Sequence, residues 1–282
     1  MIYGLNTFLF QSPFTNDSFH LIQQFKSWGF DSIEIAIEDP AHVDPASLKK
    51  VLDDNGMICG SVCAALGPGR DLRGTREEQN TSLDYMKALL DMMPVFGSPV
   101  LVGPLYSAVG RAEPRDDDEY KRQWDLVVKH LQTLSLFAGE RNIRLAIEPL
   151  NRYETDFLNT CSQAMKLVND IDHAAAGILL DTYHMNIEEK NSASAIRAAA
   201  SRLYHFHACG CDRGAPGNDH INWPEISSAL KEINYNSGVV IESFTTDVKV
   251  IAKAASIWRD FEPSKEDIAV KGLRFLKGAL SN

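Results

Sequence analysis

The stretch LAIEPLNRYETDF, residues 145–157, decides the fold. Leu145, Ala146 and Ile147 run into Glu148, Pro149 closes the run, and a second carboxylate, Glu154, follows six positions after the first. An apolar strand that ends in a charge needs a partner for it, because a buried, unpaired carboxylate is strongly disfavoured. The same pattern recurs three times downstream: ILLD ends at Asp181, YHFH at His207 and VVIE at Glu242.

Outward from these four runs, short β-rich segments alternate with helical ones along the chain. Strands are expected at 2–7, 32–37, 58–64, 99–104, 143–148, 177–181, 204–208 and 238–242. None keeps a clean period of two, as befits parallel strands buried on both faces. Helices with a period near 3.6 are expected at 17–28, 45–55, 76–93, 117–140, 161–171, 192–201, 223–234 and 265–280. Strand–helix units repeated in this way imply right-handed crossovers. They predict an α/β fold, a (β/α)8 TIM barrel, as a single domain over residues 1–282. A doubly wound open sheet is disfavoured. GLNTFLFQSPF follows the start of the first strand, where a Gly-x-Gly-x-x-Gly phosphate loop would stand.

Composition narrows the function. Of the 282 residues, 44% are hydrophobic and 23% charged, the profile of a globular protein with a large core. A net charge of −10 argues against a nucleic-acid partner held by phosphate neutralisation. MIYGLNTFLF starts as a strand and not as a signal peptide, and no apolar run is long enough for a membrane span. The five cysteines are an odd number, which suits reduced thiols and predicts a cytoplasmic protein. Cys209 and Cys211 are expected to be packing residues, since no second cysteine pair accompanies them for zinc.

In a barrel the catalytic mouth is built at the C-terminal ends of the strands. Glu148, Asp181, His207 and Glu242 then fall on four consecutive strands at one side of that mouth. Each alone reads as a helix N-cap, a rim ion pair or a satisfied histidine. Together, three buried carboxylates tolerate one another only around a cation. An oxygen-rich set with one imidazole suits a divalent metal, Mn2+ first, with Co2+ or Mg2+ as the alternatives. Beyond the strand ends lie Glu154, His184 and Arg213, with Arg152, Glu188 and Glu189 read as rim ion pairs.

The segments EPLNRYETDFLNT, LDTYHMNIEE, YHFHACGCDRGAPG and VVIESF, with IWRDF further on, resemble the ketose 3-epimerases of the D-tagatose/D-allulose (psicose) type. These belong to the xylose-isomerase-like TIM barrel superfamily. The resemblance implies metal ligands at Glu148, Asp181, His207 and Glu242, with Glu148 and Glu242 as the catalytic acid/base pair. It puts Glu154, His184 and Arg213 on the O1–O2 end of a free keto-sugar. Asn6, at the end of the first strand, is counted with the substrate-binding residues. The implied chemistry is inversion at C3 of a D-tagatose, D-allulose, D-fructose or L-ribulose type ketose, by two-glutamate proton exchange through a cis-enediolate. A keto-acid sugar epimerase and an aldose–ketose isomerase are the alternatives on the same metal site. A homodimer or homotetramer is implied as well.

Departures from the family concern the distal pocket. Asn6-Thr7 and LYSAVGR (105–111) stand where aromatic residues are common. CAALGPGRDLRG (63–74) is rich in glycine and arginine. Its Arg70 and Arg73 are expected to face solvent, the other option being a contact with an anionic group on the substrate. An abasic-site endonuclease of the same superfamily is disfavoured. It needs more histidines at strand ends, and His20, His42, His130 and His173 fall in predicted helices, loops or their ends.

Overall fold

In the computed structural model, which describes residues 1–280, eight parallel strands close into a barrel in sequence order. The strands are β1 (Ile2–Asn6), β2 (Ser32–Ile37), β3 (Ile58–Ala64), β4 (Val100–Gly103), β5 (Arg144–Ile147), β6 (Ala176–Asp181), β7 (Leu203–Ala208) and β8 (Gly238–Ile241). Between and after them run α1 (His20–Ser27), α2 (Pro45–Asp54), α3 (Arg76–Phe96), α4 (Asp117–Gly139), α5 (Cys161–Ile171), α6 (Thr182–Glu188), α7 (Ser192–Ala199), α8 (Trp223–Glu232), α9 (Lys249–Ala254) and α10 (Lys265–Leu280). The expected barrel is the observed one, and its ring closes through pairing of β1 with β8.

The apolar layer lies between strands and helices, which explains why the strands lack alternation. All six residues of β2 and all six of β6 are buried. Leu89, Leu131, Leu167 and Leu230 on the helices are fully buried in the same core cluster as Ile33 of β2 and Ile178 of β6. A smaller cluster fills the barrel interior, where Ala36, Val102, Ala146 and Leu179 pack together. Helix starts follow their local chemistry. Thr75 and Glu78 form a reciprocal capping box at α3, and Thr160 with Gln163 does the same at α5.

Two register shifts matter for the site. Ile33 of β2 pairs with Cys59 while Glu34 pairs with Ser61, so Gly60 is an extra residue in β3. Ile178 of β6 pairs with Leu203 while Leu179 pairs with His205, leaving Tyr204 as the extra residue in β7. Gly177 makes room for that second bulge, because a Cβ there would lie 2.3 Å from the Tyr204 ring. Bulges of this kind re-aim side chains. Here the re-aimed residues are Ser61 and His205, and both meet Glu34.

Two short helices were not expected, α6 directly after β6 and α9 after β8. The N-cap of α6 is Asp181 itself, whose Oδ1 accepts from the Tyr183 amide at 2.6 Å. Among the described residues no helix is long and apolar enough to cross a membrane.

Candidate metal and sugar site

Glu148 and Glu242 each stand one residue past the end of their strands, β5 and β8, while Asp181 closes β6 and His207 lies near the end of β7. All four are buried, and one ligand atom from each lies within 4.8 Å of all the others. His207 Nδ1 is the hub. It lies 3.3 Å from Glu242 Oε2, 3.8 Å from Glu148 Oε1 and 4.0 Å from Asp181 Oδ2.

The other ring nitrogen fixes how His207 points. Nε2 sits 2.9 Å from Glu34 Oε1, on a carboxylate with no exposure to solvent. With Nε2–H donated to Glu34, Nδ1 is aimed at the three carboxylates. Burial opposes charge on the ring, but Glu34 and Glu242 hold it well above its ordinary value, and a cation at Nδ1 would displace the proton there. Glu34 is itself held by Asn6 Nδ2 at 2.7 Å, by the Ser61 hydroxyl and by His205 Nε2 at 2.8 Å. A carboxylate behind a ligand histidine is the usual means of fixing its tautomer and orientation.

The charges are mutually adjusted. Burial, aided by Glu242 and Asp181, pushes the Glu148 carboxyl up to about 8 against the opposing pull of His207. Burial likewise raises Asp181 despite Arg213. Burial works against charge on Glu242 too, yet His207 and Arg213 hold it below the ordinary carboxylate range. Arg213 provides this from the opposite side. Its Nη1 lies 2.7 Å from Asp181 Oδ2 and 3.1 Å from Glu242 Oε2, with Nη2 2.9 Å from His184 Nε2.

This donor set fits a divalent cation. Glu148 Oε1 and His207 Nδ1 are buried and have no hydrogen-bond partner, although they face the centre of the cluster. Three carboxylates and an imidazole are the ligand types of Mn2+, Co2+ or Mg2+. Asp181 serves two purposes, since Oδ1 caps α6 while Oδ2 faces Arg213 and His207.

A cleft of about 170 Å³ opens beside the cluster. Glu148, Glu154, His184, Arg213 and Glu242 supply its ionisable wall, and Phe8, Leu66, Val109, Phe244 and Ile251 much of the apolar remainder. His184 is fixed by Asn151, whose backbone N–H donates to Nδ1 at 3.0 Å and whose side-chain amide holds Glu154 Oε1 at 2.8 Å. Three of the four expected sugar contacts, Glu154, His184 and Arg213, therefore line one cavity.

Other residues stand elsewhere than expected. Asn6 is fully buried and does not line the cleft. Its amide is engaged by Glu34 and, at 3.4 Å, by Glu242, while its carbonyl oxygen accepts from the Phe8 amide. In this position it supports the carboxylates. Arg70 is half-buried, stacks on Tyr85 and donates to the Glu38 and Ala65 carbonyls. Arg73 is buried outright. Neither faces solvent in the way the loop sequence suggested. Arg152 and Glu188 do form the expected rim ion pair, at 2.9 Å. Cys209 is a packing residue, whereas Cys211 is half-buried with its sulfur 3.3 Å from His220 Nδ1.

Glu34 and His205 escaped sequence reasoning, though signals existed. Glu34 is a lone charge within SIEIAI, and His205 precedes His207 by two, on the same face of β7.

Fold and site together define a barrel whose mouth carries an acidic cluster able to hold a cation. The chain belongs to the xylose isomerase-like TIM barrel family, whose model matches residues 22–279. Within that family it is 34% identical to a probable ketose 3-epimerase of Synechocystis sp., over 98% of this chain and 95% of the relative. It is 32% identical to the D-psicose 3-epimerase of Enterocloster bolteae, over 99% and 94% of the two chains. The crystal structure of a D-allulose 3-epimerase from Methylomonas sp. in complex with D-allulose superposes with a TM-score of 0.92 at 26% identity, covering 99% of this chain and 97% of that one. The chain is thus an isomerase of the ketose 3-epimerase group.

Two outcomes follow from the cluster. A Glu148 value near 8, above its usual 4.5, means that the metal-free fold is favoured below pH 4.5 and loses that advantage as pH rises through about 8. A bound cation removes the loss, so the rise in Tm on adding Mn2+ is larger at about pH 8.5 than at about pH 6. Calorimetry at the two pH values checks this, and an increment that shrinks toward alkaline pH contradicts it. Separately, Glu34→Gln weakens Mn2+ binding by about 10–100-fold in isothermal titration, chiefly by releasing His207 at Nε2.

Proposed function

We propose that the protein inverts C3 of a free, uncharged ketose of the D-allulose/D-fructose or L-ribulose type. The observation that carries this is the pair Glu148 and Glu242, two glutamates on strands separated by β6 and β7 that both reach one cleft. Epimerisation beside a carbonyl removes a proton on one face of the carbon and returns one on the other. Two carboxylates flanking one carbon meet that stereochemistry, which a single base meets with difficulty.

Glu148, Asp181, His207 and Glu242 would hold a divalent cation, Mn2+ in the first instance. When bound, that cation supplies Lewis-acid polarisation of the carbonyl and neutralises developing negative charge. The chain's own residues do the remainder. One glutamate accepts the C3 proton to give a cis-enediolate, and the other donates from the opposite side, their roles exchanging with reaction direction. Glu154, His184 and Arg213 grip the O1–O2 end, so that C3 and not C1 faces the glutamates.

Charge supports a neutral substrate over a keto-acid sugar. Arg213 is the one cationic side chain lining the cleft among the described residues, and it already faces Asp181 and Glu242. Arg73 and Arg70 are committed elsewhere. The relatives support the same choice, two being named for D-psicose and L-ribulose. The distal wall has few hydroxyl partners, which concentrates recognition at the carbonyl end.

Incubation of D-fructose with the Mn2+-loaded protein yields D-allulose. An aldose product instead assigns the site to aldose–ketose isomerisation. Glu242→Gln, assayed at saturating Mn2+, lowers kcat by about 10²–10⁴-fold. Near-normal turnover by that variant with cation bound contradicts the two-glutamate scheme.

A further inference from the structure

Arg73 has no part in the cation cluster and does not line the cleft, yet its side chain is fully removed from solvent. Its guanidinium is spent on one junction. Nη1 donates to Asp156 Oδ1 at 2.6 Å and to Gln123 Oε1 at 3.1 Å, Nε donates to Ser107 Oγ at 3.1 Å, and Nη2 reaches the Arg111 carbonyl at 3.5 Å. The planar group also lies 4.9 Å above the Phe157 ring. One side chain from the loop after β3 thereby joins the loop after β4, the body of α4 and the loop after β5.

The loop after β5 is the one that carries Glu154, and Asp156 lies two residues beyond it. Next to the arginine, backbone bonds tie the same two loops. Gly110 N–H donates to the Glu154 carbonyl at 2.8 Å, and Asp156 N–H donates to the Arg111 carbonyl at 3.2 Å. This is a short parallel bridge outside the barrel, between Arg111 and Thr155. Two further ion pairs close the cluster, Arg111 with Asp71 at 3.1 Å and Arg115 with Asp156 at 3.4 Å. Burying a guanidinium is a poor route to stability, because desolvation offsets most of the attraction. Its fork of donors is a good means of fixing one geometry among loops that would otherwise slide.

We infer that Arg73 is a positioning residue: it locks the loop at 150–158 against the loop at 104–111, so that Glu154 is presented to the substrate at a fixed distance from the two glutamates. This rests on the role of Glu154 proposed above, and the test separates the two. Arg73→Gln, Glu154→Gln and the double variant are compared by steady-state kinetics on D-fructose with Mn2+. Amide hydrogen exchange is followed in the single arginine variant. Arg73→Gln is expected to raise KM about tenfold, with kcat at saturation changed less than about threefold. In the Glu154→Gln background the same change is expected to alter kcat/KM by less than about twofold, since the contact it serves is already gone. The amides of Gly110 and Asp156 are expected to exchange at least about tenfold faster. Full additivity of the two substitutions, or unchanged exchange at those amides, overturns the inference. Should Arg73→Gln fail to fold, Asp156→Ala removes the acceptor, retains the arginine and carries the same expectations. If the wild type leaves ketoses unchanged, the functional proposal fails, and hydrogen exchange alone decides whether Arg73 holds the loop.

Discussion

Three carboxylates buried around one imidazole are the constraint on which the rest of the structure depends. Glu148, Asp181 and Glu242 are each almost inaccessible, and burial, with their mutual repulsion adding to it, raises the carboxyls of Glu148 and Asp181. Such a cluster is unstable unless positive charge is brought to it. His207, Arg213 and a cation are the available sources. His207 is aimed by Glu34, which burial alone would protonate but which His207 and His205 hold well below the ordinary carboxylate range. The polar layer thus extends one level down the barrel axis, from Glu242 through His207 and Glu34 to His205.

Much of the fold was legible because closure of a parallel barrel leaves its mark on every strand. Runs such as ILLD and VVIE cannot be surface strands, and their terminal charges point to the mouth. What stayed hidden depended on register or on burial by other elements. Glu34 sits inside an apolar strand, and only the bulge at Gly60 sets Ser61 opposite it. Asn6 was assigned to the sugar from its place at a strand end, but the inward turn of β1 gives its amide to Glu34. Arg73 lies in a loop sequence, GPGRDLRG, whose glycines suggest solvent. Only the tertiary approach of Asp156, 83 positions away, explains its burial. Asp181 shows a third difficulty. Its two oxygens have different partners, so reading it as a helix cap and reading it as a member of the acidic cluster are both correct.

The two carboxylates of the segment 145–157 have separate tasks in the proposed mechanism. Glu148 is continuous with the barrel and shares the buried cluster. Glu154 belongs to a loop, two residues before the Asp156 that Arg73 engages; it is half-buried and accepts a hydrogen bond from Asn151. In that mechanism, rigid strands set the groups that exchange protons, whereas pinned loops set the groups that hold the sugar. Substrate range can therefore change in the loops after β3, β4 and β8 without disturbing the chemistry at the strand ends.

The claim that Glu148 and Glu242 exchange the proton at C3 is tested most directly by NMR of a ketose incubated with the Mn2+-loaded protein in D2O. The product epimer is predicted to carry solvent deuterium at C3 while the protons at C1 are retained. Deuterium at C1, or epimer formed with its original C3 proton, would contradict the account.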